Sequence, residues 1–484
     1  MAVDENLLAE ARQWVEDSWE RIVSDIGSLV EIESPEDLSA AEPGAPFGPG
    51  PRAALSRALE MAGEMGLSTC DVDGYVGFAD LPGAGAAQVG IIGHTDVVPA
   101  GPGWSFPPFS VTRKDGYLVG RGVIDDKGPL VCALHAVRFW KERGTALPAT
   151  VRVIFGADEE CGMKDVPYYR ERYADPDFLF TPDAEFPVCY GEKGAWGGKV
   201  RSAVVEGGSI VALEGGTVAN AVPGTASAVV RLPEGRSAGS LPAARGIAVE
   251  ELGAAEAASL GGGAHLARVS ATGKSAHAST PDLGVNAVGI LFRYLVEQSL
   301  VGGAERAFLE FALRLVEDWR GAGWGLACED ADFGPLTAVG SVVALEGGRL
   351  TMLVDVRYPT ATDAGAIEEA VWEAARGCGA ELEVIVATVP FLAGRDAPEV
   401  QALIDVYNGV TGEHAEPFTM GGGTYARKFS RGVSFGVEKP WVEVPAWAGG
   451  MHGPDEAVSE GLLKEATAIY ILAIEKLCEV VAAG

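Results

Sequence analysis

Residues 88–99 read Gln-Val-Gly-Ile-Ile-Gly-His-Thr-Asp-Val-Val-Pro, and residues 150–160 read Thr-Val-Arg-Val-Ile-Phe-Gly-Ala-Asp-Glu-Glu. Each opens with a short β-branched run closed by glycine, which predicts central sheet strands, covered on both faces, over 88–93 and 150–156. Between them, residues 128–141 carry apolar side chains at helical spacing. The order strand, long loop, helix, strand predicts an α/β domain whose chemically active residues stand at strand ends.

A chain of 484 residues exceeds what one hydrophobic core usually organises, so two domains are expected, one inserted in the other. Upstream, Leu7, Leu8, Ala11, Trp14, Val15, Trp19, Ile22 and Ile26 recur at roughly helical spacing, predicting an amphipathic helix from Glu5 to about Val30. A second helix is expected from about Ala53 to Met65, ended by Gly66. From Lys199 the pattern changes to alternating strands broken by turns, as in Ser202-Ala-Val-Val-Glu and Ala226-Ser-Ala-Val-Val-Arg, which predicts an α+β second domain. Residues 397–410 and 461–481 read as helices by which the chain has returned to the first domain. The expected bounds are 1–193 and 391–484 for the first domain and 194–390 for the insertion. The alanine- and glycine-rich stretch 237–264 is read as a flexible loop.

Hydrophobic residues make up 48% and charged residues 22%, the range of a soluble globular chain. Acidic residues outnumber basic ones by 68 to 37, and the formal charge of −31 argues against nucleic acid or an anionic membrane as a partner. Met1-Ala-Val-Asp-Glu-Asn lacks the basic and apolar regions of a signal peptide, and no run of about 18 apolar residues occurs, so a cytoplasmic location is expected. Seven cysteines, an odd number without a Cys-x-x-Cys pair, are expected as reduced thiols, with Cys161 packed.

The six histidines are few enough to weigh one by one. His94 follows a predicted strand directly, so its imidazole and the Asp96 carboxylate emerge together at a strand end; alone, this pair is weak evidence of a metal site. Asp125 and Asp126 stand at a loop-to-helix junction, where first-turn capping would also explain them. Asp158, Glu159 and Glu160 end the next strand, and Asp183 and Glu185 follow in Thr181-Pro-Asp-Ala-Glu. So much like charge converging on strand ends repels itself unless cations are present. Two divalent ions about 3.5–4 Å apart need a bridging carboxylate with further oxygen and nitrogen ligands, and the sequence holds that inventory. His135, His265 and His414 are read as structural or solvent-facing.

In order along the chain stand Gly93-His-Thr-Asp-Val-Val-Pro, Gly120-Arg-Gly-x-x-Asp-Asp-Lys-Gly-Pro, Asp158-Glu-Glu, Thr181-Pro-Asp-Ala-Glu-Phe-Pro-Val, Gly273-Lys-Ser-Ala-His-Ala and Met451-His-Gly-Pro-Asp-Glu. Together they resemble the aminoacylase/carboxypeptidase G/carnosinase family of metallopeptidases. Gly191-Glu-Lys-Gly and Gly421-Gly-Gly-Thr-Tyr-Ala-Arg look most like its bacterial PepV and Sapep dipeptidase branch. The resemblance implies a zinc-peptidase-like α/β catalytic domain, its mixed sheet flanked by helices, with an inserted α+β lid domain. It also implies two divalent metal ions, zinc foremost, with manganese or cobalt as alternatives.

Carried over position by position, the resemblance makes Asp125 the bridge between the metals. His94 and Asp183 complete one site, and Glu160 and His452 the other. Asp96 would orient and polarise His94, and Glu159 would be the general base. From the lid, His277 would hydrogen-bond the oxyanion and Arg357 would bind the substrate carboxylate, unless it merely pairs with an acidic neighbour. Asn220 and the glycines Gly421, Gly422 and Gly423 would line the pocket. The implied activity is hydrolysis of unblocked dipeptides by a monomer that donates His277 in cis. The alternative, an N-acyl- or N-carbamoyl-amino-acid amidohydrolase with the same machinery, differs in not requiring a free α-amine.

Overall fold

A computed structural model describes residues 3–205, 207–260 and 265–484. The chain divides into two compact units. The first comprises Met1–Gly191, Leu392–Phe418 and Gly423–Gly484; the second comprises Glu192–Phe391 with Thr419–Gly422.

In the first unit the opening helix spans Glu5–Val30, capped by the Asp4 carboxylate, which accepts the Asn6 and Leu7 amides. It buries Leu7, Leu8, Ala11, Val15, Trp19, Ile22, Ile26 and Leu29, the face its spacing predicts. The second helix, Pro49–Glu64, starts four residues earlier than expected. Pro49 and Pro51 stand in its first turn, where the missing N–H groups have no helical partner to lose. Gly66, at φ +79°, leads the chain out.

The central sheet of this unit runs in the order Ser68–Val72, Val76–Leu81, Thr150–Gly156, Gln88–His94, Phe178–Thr181, Gly432–Ser434, Cys189–Glu192. It is mixed: the four strands from Thr150–Gly156 to Gly432–Ser434 are parallel, and antiparallel neighbours flank them. Helices Lys127–Arg143, Pro398–Thr411 and Glu460–Ala483 share one apolar core with the sheet and the opening helix. Ile91, Ile92, Val151, Val153 and Ile154 are fully buried, as strands covered on both faces require.

The second unit is an antiparallel eight-stranded sheet in the order Ile247–Glu251, Leu266–Thr272, Thr225–Arg231, Ile210–Gly215, Thr337–Glu346, Arg349–Tyr358, Gly194–Arg201, Glu381–Thr388. Its core is shared with helices Ala287–Glu297, Gly303–Val316 and Ala364–Arg376.

Two expectations need correction here. The strand read at Ser202–Glu206 lies earlier, at Gly194–Arg201. Ser202 ends the ladder because its hydroxyl oxygen accepts the Leu350 amide while its carbonyl is taken by Arg349; Glu206 lies outside the described residues. The stretch 237–264 is not a plain loop, since Ile247–Glu251 pairs with Leu266–Thr272 and Ala254–Ser259 is helical. Its alanine and glycine content concealed the alternation of Ile247 and Val249; residues 261–264 lie outside the described residues. Among the described residues no helix is long and apolar enough to cross a membrane.

Candidate active site

Strands Gln88–His94 and Thr150–Gly156 run parallel with His94 opposite Gly156. Their carboxyl ends therefore coincide, and Asp158–Glu160 leaves the sheet beside His94. Phe178–Thr181 lies parallel on the other side of Gln88–His94, with Ile91 opposite Phe180, so Asp183 emerges at the same edge. Asp125 stands two residues ahead of the helix that begins at Lys127. His452 arrives on the loop before strand Ala457–Ser459.

The five expected ligands meet. Asp125 turns one carboxylate oxygen to each histidine, Oδ1 lying 3.0 Å from His94 Nε2 and Oδ2 3.0 Å from His452 Nε2. Asp183 Oδ2 is 3.8 Å from His94 Nε2, and Glu160 Oε2 is 3.2 Å from His452 Nε2. Two atoms each about 2.0–2.1 Å from a tetrahedral ion stand about 3.3 Å apart, so these spacings fit a divalent cation on either side of Asp125. The donor set of imidazole nitrogen and carboxylate oxygen suits zinc and manganese alike. Glu159 can bring an oxygen within 4.8 Å of donor atoms of His94 and Asp183, beside the ions' expected positions.

The orientation of His94 differs in one detail from the expectation. Its Nδ1 lies 3.0 Å from the Asp96 backbone carbonyl, whereas the Asp96 carboxylate is 3.6 Å away, beyond hydrogen-bonding range. A carbonyl can only accept, so Nδ1 carries a proton, and Nε2, which faces Asp125, is the nitrogen left for a metal ion. The Asp96 carboxylate instead accepts the Glu159 amide at 3.3 Å and the Glu160 amide at 3.1 Å, so it positions both carboxylate-bearing residues.

The protein groups alone leave the site electrostatically unbalanced. Burial, then the neighbouring Asp183, pushes Glu159 well above the carboxylate range, and the same two causes raise Asp126. Burial pulls the His94 imidazole down, but Asp125 and Asp96 outweigh it and hold His94 well above its ordinary value. His452 is pushed up to about 10 by Asp125 and Glu160. Clustered carboxylates that would otherwise hold protons are what a pair of divalent cations neutralises.

Within the second unit a separate group forms. The ribbon pairing Ala221–Val222 with Ala276–His277 puts Ala221 opposite His277, so Asn220 lies beside the histidine. The Asn220 carbonyl accepts the Ala278 amide at 2.9 Å. His277 Nδ1 accepts the Ser279 amide at 3.2 Å, with the Ser279 hydroxyl at 2.6 Å, so its proton is on Nε2. Arg357 is held in a fork by Asp355, with Nε 2.7 Å and Nη2 2.9 Å from its oxygens, and Nη1 points to the Gly421 carbonyl at 3.4 Å. An acidic neighbour thus takes one edge of the guanidinium. Gly421 packs so closely on Ser279 that a β-carbon would stand 2.5 Å from the serine Cβ. A β-carbon on Gly423, in the first unit, would meet the flexible end of the Arg427 side chain, whereas one on Gly422 would make only ordinary contact with Met420, at 3.8 Å.

Reading the sequence residue by residue missed several supports. The Tyr425 hydroxyl donates to Asp165, which also accepts the Ala157 amide at 2.8 Å just ahead of Glu159. Tyr425 also lies edge-on to His94, with ring centroids 6.5 Å apart. Lys127, fully buried, donates to the Leu29 and Ile32 carbonyls at the end of the opening helix. Tyr425 and Lys127 lay inside quoted motifs; Asp165 carried no signal. Cys161, expected to be packed, is exposed, and partial burial of the thiol with Glu36 nearby pushes it up to about 12. His135 is buried and bonded to Asp25 at 2.9 Å, as a structural histidine should be.

A mixed sheet presenting a carboxylate between two histidines, with further carboxylates on either side, defines a peptidase-type metal hydrolase. The chain belongs to peptidase family M20/M25/M40, whose model matches residues 90–476. A Bacillus subtilis protein named "Putative dipeptidase YtjP" is 32% identical over 467 residues, covering 95% of this chain and 98% of that one. A Staphylococcus haemolyticus protein named "Putative dipeptidase SH1171" is 32% identical over 468 residues, covering 95% and 97%. Among solved structures, human carnosine dipeptidase 1 superposes with a TM-score of 0.60 at 17% identity, covering 98% of this chain and 99% of that one. The Saccharomyces cerevisiae dipeptidase Dug1p does so with a TM-score of 0.61 at 13% identity, covering 98% of each.

Proposed function

We propose that this protein is a cytoplasmic, monomeric dipeptidase that holds two divalent ions, zinc or manganese, and hydrolyses unblocked dipeptides. The observation that carries the reading is Asp125, whose two oxygens each lie 3.0 Å from a different histidine Nε2. His94 and Asp183 would hold one ion with it, and His452 and Glu160 the other. When bound, the ions supply Lewis acidity and lower the pKa of water. Glu159 takes the proton of the attacking water and hands it to the leaving amine.

His277 donates from Nε2 to the developing oxyanion, and Asn220 beside it lines the same pocket. Arg357 receives the substrate carboxylate at the guanidinium end that Asp355 leaves open, and Gly421, Gly422 and Gly423 are the glycines that the likeness of their motif assigns to substrate binding. The names of the curated relatives support the dipeptide as substrate. The test is a panel of free, N-acetylated and C-amidated dipeptides presented to the metal-loaded protein. Turnover should be confined to dipeptides with both termini free. Preference for acetylated or carbamoylated amino acids would replace the dipeptidase reading with an amidohydrolase on the same machinery.

A further inference from the structure

Asp125 and His452, which face each other across the centre, belong to segments far apart in the chain, and something must hold those segments in register. Glu456, fully buried, lies on the His452 segment just after its loop and reaches across to the Asp125 segment. Its Oε1 accepts the Gly122 amide at 2.9 Å, the Ile124 amide at 3.1 Å and, more weakly, the Asp125 amide at 3.4 Å. Its Oε2 accepts Arg121 Nη1, and Arg121 Nη2 donates to the Gly453 carbonyl at 3.2 Å. Arg121 is itself buried, its guanidinium 5.3 Å from the Trp104 ring centroid.

The backbone around His452 needs such a tether. His452 has φ +61° and Asp455 φ +56°, a left-handed conformation that a β-carbon disfavours. Other contacts also hold the loop: the Asp455 carboxylate accepts the Ser105 amide at 2.7 Å and the Phe106 amide at 3.2 Å, the Gly449 amide donates to the Asp455 carbonyl at 2.7 Å, and the Gly453 amide donates to the Gly450 carbonyl at 3.1 Å. The residue next to the imidazole is held by Arg121. Released there, the loop would relax toward right-handed dihedrals and swing Nε2 away from Asp125. Three amides converging on one carboxylate oxygen likewise fix the dihedrals of residues 122–125, which aim the Asp125 side chain.

We propose that Glu456 and Arg121 form a positioning pair that presents Asp125 and His452 as metal ligands. Glu456 acts on both ions through the Asp125 loop, and Arg121 acts chiefly on the ion at the His452 side. The inference rests on the two-ion reading above. Neither residue reaches the ions or substrate, so both act through the ligands they hold.

The experiment titrates metal-stripped protein with zinc by calorimetry and records the visible spectrum of the cobalt(II) form, so neither readout depends on turnover. Glu456→Gln keeps an oxygen for the loop amides but sets an NH2 group against Arg121; both affinities should fall at least tenfold and the cobalt bands should shift. Arg121→Lys can still pair with Glu456 but cannot also reach Gly453; one ion should keep its affinity while the other weakens at least tenfold. Glu456→Asp, which keeps the charge, should recover part of the loss and serves if Glu456→Gln does not fold. Folded variants that bind both ions with unchanged affinity and unaltered cobalt spectra would overturn the proposal. Equal weakening of both ions by Arg121→Lys would overturn the division of roles. Fewer than two ions bound by the unaltered protein would instead overturn the two-ion reading.

Discussion

Replacing Gly156 with alanine puts a methyl group where the Tyr425 ring lies. An ideal β-carbon there would stand 2.1 Å from the tyrosine oxygen and 2.5 Å from Cζ. Ordinary contact needs about 3.5 Å, so the ring must retreat by about 1 Å or more. Tyr425 is fully buried among Val76, Phe78, Ile92, Ile154, Tyr169 and Leu179, which leaves it nowhere to go. Overpacking of this kind costs about 1–3 kcal/mol. Withdrawal of the hydroxyl from Asp165 adds about 1.5–3 kcal/mol when that carboxylate is charged. Burial pushes Asp165 up to about 6, so the bond is charge-assisted at pH 8. Gly156→Ala should therefore destabilise the first unit by about 2.5–6 kcal/mol, and Tyr425→Phe, which loses only the bond, by about 1.5–3 kcal/mol. Urea unfolding at pH 8, with hydrogen exchange at the Ala157 amide that Asp165 holds, measures both. A Gly156→Ala midpoint equal to that of the unaltered protein, with unchanged Ala157 protection, would refute the packing argument.

Glu159→Gln keeps size and hydrogen-bonding capacity but cannot accept a proton, so kcat should fall by roughly 100-fold or more with metal content intact; loss of metal instead would make Glu159 a ligand. Arg357→Lys cannot pair with Asp355 and also present a planar donor edge, so KM for free dipeptides should rise by about tenfold or more. C-amidated dipeptides should be poor substrates of both proteins, and equal rates on free and amidated dipeptides would remove Arg357 from the pocket. His277→Ala removes an Nε2–H donor and should cost about 3 kcal/mol in kcat/KM with little change in KM. Mixing His277→Ala with Glu159→Gln should restore nothing; recovered turnover would show that the histidine comes from a second copy.

What the sequence revealed and what it concealed divide along physical lines. Strands 88–94 and 150–156 were legible because burial on both faces demands continuous β-branched runs, and glycine marks where they stop. The acidic clusters and His94 at strand ends drew attention on their own, but the grouping of His94, Asp125, Glu160, Asp183 and His452, which the structure brings close together, was implied only by the resemblance of the motifs taken together. The ladder's early end at Ser202 was not, since it depends on a serine hydroxyl accepting a backbone amide 148 residues away in sequence. Asp165 and Tyr425 were hidden for the same reason: a buried acid is recognisable only through the partner that folding brings to it, and theirs lies 260 residues off. That Nδ1 carries a proton in His94 and accepts one in His277 follows from a backbone carbonyl and a backbone amide, which no motif encodes.

The central claim is that one carboxylate serves two ions. Metal content by elemental analysis, after loading with zinc and removal of excess, tests it most directly on the unaltered protein and on Asp125→Ala. The account predicts two ions per chain in the first and none tightly held in the second, because each site loses its shared ligand. An Asp125→Ala protein that is folded and still retains two ions, or an unaltered protein fully active after exhaustive chelation, would contradict it.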